Sequence, residues 1–115
     1  MNINFDKNIL IVILMLTVAH IVIWFQVNAQ VVSDWYKNHI VFLCLLGVPI
    51  SYIFFKATEM GYAATGSLWA VRFLAFGTSM ITFPIITYLV AGEGITMRSG
   101  ICILLAIIIM LLQFK

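Results

Sequence analysis

Charge is what this chain has least of. Lys, Arg, Asp and Glu make up 9% of its 115 residues, against about a quarter in an ordinary soluble domain. With 64% of residues hydrophobic, a chain this short has no interior volume in which to hide its apolar surface from water. A water-soluble globule is excluded, and lipid becomes the solvent. The cations are scattered, so a net charge of +2 offers no basic groove for a nucleic-acid backbone and no polybasic patch for anionic lipid. Cysteine is scarce too: Cys44 and Cys102 both lie in apolar runs and read as packed thiols rather than as a disulfide or metal ligands. There is no metal-ligand spacing, no glycine-rich phosphate loop and no hydrolytic triad. Glu59 and Glu93 sit in connections without a partnered histidine array, so neither an enzyme, a metal nor a cofactor is expected. No small-residue cleavage signature follows the first apolar run, which is read as a retained span.

What the chain does have is apolar length. The expectation is an all-α membrane protein, a single transmembrane domain over residues 1–115 with four transmembrane helices at about residues 9–27, 40–56, 65–90 and 97–114. Each is a helix because an open strand cannot satisfy its backbone in lipid, whatever the β propensity of its Ile and Val. Between the first two lie Trp35 and Tyr36, flanked by Asp34 and Lys37, a composition suited to headgroup depth. Gly47 and Pro49 mark a kink in the second helix, and Gly92-Glu93-Gly94 a tight break before the fourth. Four spans would put Lys7, Lys56 and Lys115 on one side and Lys37 and Arg98 on the other, a bias too weak to fix orientation, so that insertion either way up is open.

Arg72, inside LWAVRFLAFG, is the charge that stands within an apolar run. Arg at the centre of a membrane helix costs about 2.5–3.5 kcal/mol on insertion scales, so it needs a cavity, a partner or a route to the surface. Thr65, Trp69, Arg72, Ser79 and Thr82 recur at helical spacing on the third helix, as do Thr17, His20, Trp24 and Asn28 on the first. With Tyr52 of the second, these faces would converge on a polar chamber whose candidate substrate-binding residues are Arg72, Trp69, His20, Trp24, Tyr52 and Ser79. Each has a plainer reading beside it. Arg72 would snorkel to the nearer surface, the hydroxyls would bond back to their own helices, His20 would be a neutral histidine bonded to a neighbour, and both tryptophans would simply pack.

The second half, with small residues from Ala64 to Trp69, a long helix, the break Gly92-Glu93-Gly94-Ile95 and an apolar last helix, resembles a four-helix member of the drug/metabolite transporter superfamily, the group that contains the small multidrug resistance transporters. The resemblance implies a small multidrug resistance-like bundle working as a homodimer, often antiparallel, with three helices lining a substrate chamber and the fourth packing the pair. It places Trp69 at the chamber aromatic and Gly92 with Glu93 at the loop before the dimerising helix. The first span lacks the membrane-embedded glutamate of the family's drug/proton antiporters; His20 is its one ionisable group. A chamber holding Arg72 without a carboxylate favours an anionic or zwitterionic ligand. The expectation is therefore a multi-pass protein of a prokaryotic inner membrane, a transporter or flippase moving a polar metabolite or lipid-linked headgroup. The alternatives are a non-transporting membrane subunit that assembles with another protein, and an oligomeric ion channel.

Overall fold

The computed structural model describes residues 7–113. Phe114 and Lys115, on which the fourth span and the charge bias partly rest, lie outside these. All regular elements among the described residues are helical: α1 (Lys7–Asn28), a 3-10 turn (Ala29–Val31), α2 (Asp34–Asn38), α3 (Ile40–Leu45), α4 (Gly47–Thr65), α5 (Leu68–Ile86), a π turn (Thr87–Ala91) and α6 (Met97–Leu112).

Three stretches are long and apolar enough to cross a membrane: Lys7–Val31, Ile40–Thr65 and Leu68–Ala91, of 25, 26 and 24 residues. Each exceeds the ~20 residues that a ~30 Å hydrocarbon core requires. The chain is a multi-pass membrane protein. The expected four-helix, small multidrug resistance-like bundle is corrected, because α6 has 16 residues and covers about 24 Å. Gly92, at φ 70°, stops the preceding helix, and α6 starts only at Met97, where the hydroxyl of Thr96 accepts the Ser99 N–H at 3.2 Å. From there α6 runs antiparallel to α5, since Cys102 and Ile103 share a cavity with Phe83 and Pro84 while Met110 faces Gly77. The last described residues therefore reach only the middle of α5. The placing of both termini on one side needed four crossings and falls with them.

The second span is bent at Leu46. Pro49 has no N–H to offer the Leu45 carbonyl, and the Leu46 N–H donates to both Phe42 and Leu43 carbonyls at 3.2 Å. Gln26 on α1 ties the bend down by donating its Nε2–H to the Leu43 carbonyl at 2.9 Å. The same helix runs past Lys56 to Thr65, where Gly66 at φ 70° returns its N–H to the Tyr62 carbonyl at 2.7 Å. This left-handed cap favours glycine because it carries no Cβ. Ser67 then opens α5, its Oγ accepting the Ala70 N–H at 3.2 Å. The small residues of GYAATG thus close the second span rather than open the third.

α1 is the central helix, packed against α4 and α5. It runs antiparallel to α4, with His20 against Phe54 and Val12 near Gly61, and parallel to α5, with Trp24 bonded to Thr87. Ile9, Val12, Leu16, Ala57 and Leu74 form the core. Lipid tails are as apolar as these side chains, so what holds the helices is close van der Waals fit through small residues rather than escape from water. Gly61 supplies that fit where α1, α4 and α5 meet: a Cβ there would lie 2.8 Å from Val71 Cγ2 and 3.6 Å from Val12 Cγ1. The large apolar residues left outside, such as Leu14, Val48 and Leu105, are the lipid-facing surface.

Candidate functional site

Two rows of side chains meet between α1 and α5. Because the helices run parallel, His20, Trp24 and Asn28, four residues apart, face Ser79, Phe83 and Thr87 at the same spacing. A cavity of about 60 Å³ lies between them, lined by His20, Ile23, Trp24, Asn28, Ser79 and Phe83. Trp24 is 3% exposed, and its indole N–H donates to Thr87 Oγ1 at 2.9 Å. That bond answers the need of a buried indole for a partner, and it fixes the rotation of α1 against α5.

His20 stands at the other end of this cavity. Its Nδ1 is 2.6 Å from the Leu16 carbonyl oxygen. A carbonyl only accepts, so Nδ1 carries the proton and donates, and in the neutral ring Nε2 keeps a free lone pair. Phe54 of α4 sets the ring from the opposite side, edge-on at 5.5 Å between centroids and 85° between planes. Three other hydroxyls turn back onto their own helices: Thr17 donates to the Ile13 carbonyl at 2.8 Å, Thr65 to Gly61 at 2.8 Å and Thr78 to Ala75 at 2.9 Å.

Of the six residues singled out in the sequence, His20, Trp24 and Ser79 come together here. Arg72, Trp69 and Tyr52 do not join them. Trp69 is 71% exposed and Tyr52 63%; Trp69 lies parallel to Phe73 at 6.0 Å on the outer face of α5. Arg72 is exposed as well, and no ion pair or hydrogen bond engages it among the described residues. Thr87 and Phe83 completed the row unnoticed. The signal for them was the spacing of four residues from Ser79, which the choice of Thr82 as the next member passed over.

The volume decides what this cavity is. At ~30 Å³ per water molecule in the liquid, 60 Å³ is the size of about two waters, and a pocket that encloses a small-molecule ligand is about 300–1,000 Å³. This cavity is too small to enclose a metabolite. The row acts instead as a polar clamp between two spans. Trp24→Phe and Thr87→Val are each expected to cost about 0.6 kcal/mol or somewhat more, the usual worth of an interhelical hydrogen bond in a membrane. Measured by unfolding in mixed micelles, the double variant should be little worse than either single one; additive losses would mean that the two side chains act separately.

No family model, no curated protein and no solved structure matches this chain. The resemblance to the drug/metabolite transporter superfamily is corrected accordingly. The small-residue segment on which it leaned belongs to the end of α4, and Trp69, its chamber aromatic, lies on the outside. The chain is a small all-helical membrane protein with three spanning-length helices and a shorter fourth.

Proposed function

We propose that this protein is a membrane subunit that assembles through the outward polar and aromatic face of α4 and α5. The observation that carries this reading is the exposure of Arg72, four residues or about 6 Å past the start of α5, with no counter-charge beside it among the described residues. Ionisable groups in membrane segments ordinarily face a bundle interior or a cavity and pair there. Here the interior is the neighbour's.

The depth of the charges names the simplest neighbour. Gly61 on α4 touches Val71 on α5, so the two lie level. Glu59 is two residues before Gly61 and Arg72 one after Val71, and since α4 and α5 run in opposite senses, both are displaced the same way, by about 3 and 1.5 Å. Glu59 and Arg72 are therefore level to within about 1.5 Å. Glu59 is exposed and only loosely held, 3.8 Å from Lys56 Nζ. A second copy, related by a two-fold axis along the membrane normal, would bring each Arg72 to the other's Glu59, the self-complementary pattern of an isologous interface.

Association of labelled copies in vesicles, followed by energy transfer, tests this. Arg72→Glu and Glu59→Arg are each expected to weaken self-association about tenfold, roughly 1.4 kcal/mol, whereas mixing the two variants should restore pairing. Wild-type association in Arg72→Glu would remove the basis of the proposal. A second reading has one observation in its favour: Arg72, Trp69 and Tyr52 all face outward, so a chamber containing them would close only between copies. That reading is a homodimeric carrier of a small anionic or zwitterionic ligand. Anion flux into vesicles that is lost in Arg72→Ala while pairing persists would favour it over the first.

A further inference from the structure

A cavity of about 270 Å³ opens between the end of α5 and the first turns of α6, sharing Phe83 and Thr87 with the clamp. Met80, Phe83, Pro84 and Ile103 form its apolar wall, and Glu93 and Arg98 stand at its mouth. Local chemistry puts them there. The π turn and the left-handed Gly92 turn Glu93 back over the opening, and the Thr96 cap sets Arg98 in the first turn of α6.

Nothing in the stability of the fold calls for those two charges. A cation in the first turn stands against the helix dipole. Neither residue pairs with the other or with anything else, the one ion pair among the described residues being Lys56 with Glu59. Arg98 asks for an anion, and Glu93, five residues away, asks for a cation. The cavity runs from the end of the Leu68–Ala91 span, where Glu93 and Gly94 lie, inward along α5 as far as Met80. It is smaller than the ~300–1,000 Å³ of a pocket that encloses a whole small molecule, so it takes one end of a long one.

We propose that this cavity binds the headgroup of a zwitterionic phospholipid bearing a primary ammonium, of the phosphoethanolamine type. Arg98 receives the phosphate, Glu93 receives the ammonium, and the apolar wall takes the first part of the acyl chains. A primary ammonium brings three N–H donors to that carboxylate. A quaternary ammonium brings none and is recognised by a cage of aromatic faces, of which the cavity has only Phe83. A net-negative headgroup would set its surplus charge beside Glu93.

The test is native mass spectrometry of the full chain in mild detergent, incubated with equal amounts of phosphoethanolamine, phosphoglycerol and phosphocholine lipids of one acyl composition. One phosphoethanolamine lipid should be retained, at least fivefold over each of the others. Glu93→Gln and Arg98→Gln should each lower that retention about fivefold, and Lys37→Gln should leave it unchanged. Gly94→Leu narrows the mouth and keeps both charges; a Cβ at Gly94 meets no atom within 4 Å, so this variant should fold with unchanged helicity and lose the lipid as well. Equal retention of the three lipids by the wild type, as for a general lipid annulus, overturns the site, and so does wild-type retention in the three cavity variants.

Discussion

Gly61→Leu is expected to do more damage than any other single substitution described above. The added Cβ falls 2.8 Å from Val71 Cγ2, 3.5 Å from Val71 Cγ1 and 3.6 Å from Val12 Cγ1. Val71 cannot swing aside, because a β-branched side chain in a helix has essentially one rotamer. Relief must come from the backbones, and three helices share the contact. In water, part of such a cost would be offset by the extra apolar area buried; in lipid that offset is absent, since a leucine facing acyl chains is already in an apolar solvent. Overpacking of a well-fitted core usually costs about 1–3 kcal/mol, and the upper end or beyond applies here. The check is the unfolding midpoint in mixed micelles, with Gly61→Ala as an intermediate member of the series. A midpoint within error of the wild type for Gly61→Leu would mean that α1, α4 and α5 do not meet at Gly61.

Gly77→Leu should come second, with a different outcome. A Cβ at Gly77 would run into Met110, meeting its Sδ and lying 3.0 Å from both Cβ and Cγ. The thioether end can withdraw, because Met has three rotatable bonds, but the stem at Cβ cannot. The expected cost is therefore about 1–2 kcal/mol, and it falls on one seam, α5 against α6. The three spans keep their mutual packing while α6 moves off. Alkylation of Cys102, which lines the α5–α6 cavity, should change rate in Gly77→Leu, whereas that of Cys44, beside the second-span bend, should not. A uniform change at both thiols would show that the whole bundle had loosened and that α6 is not a separable layer.

These two glycines also show how much of the architecture could be read in advance. Residues 61–65 look like the opening of a helix in sequence, since small residues and a Trp one turn later continue smoothly into an apolar run. What makes them the end of α4 is the pair Gly66 and Ser67. One provides a left-handed cap with its N–H on Tyr62; the other provides a helix-opening hydroxyl on Ala70. Both signals were visible as residue types, but a hydropathy window averages over a turn of this length and does not register it. For α6 the start was legible, since the expected helix opens at residue 97, directly after Thr96, whose hydroxyl accepts the Ser99 N–H. What hydropathy did not register is that the 16-residue helix from there is short of a full crossing.

The candidate site divides in the same manner. The spacing of His20, Trp24 and Asn28 was enough to put them on one face, and the cavity they line with Ser79 lies between the two helices that carry those rows. For Arg72 the spacing was equally good, yet it stands on the exposed side of α5 and not in this cavity. Periodicity shows which residues share a face and does not show what that face meets. On α5, Val71 turns to Gly61 and the next residue turns away. In a helix that is apolar nearly all round, no amphipathic contrast reveals which side is inward.

By itself, the sequence determined that this chain lives in a bilayer and crosses it more than once, because membrane partition sums over residues: length, apolar content and the scarcity of charge are additive quantities that no arrangement can undo. Only the tertiary structure decided the rotation of each helix about its axis, the level at which α6 begins and ends, and which polar groups turn inward. Those depend on close contacts at Gly61, Gly77 and the Trp24–Thr87 bond, each of which joins residues far apart in the chain and is fixed by shape rather than by composition.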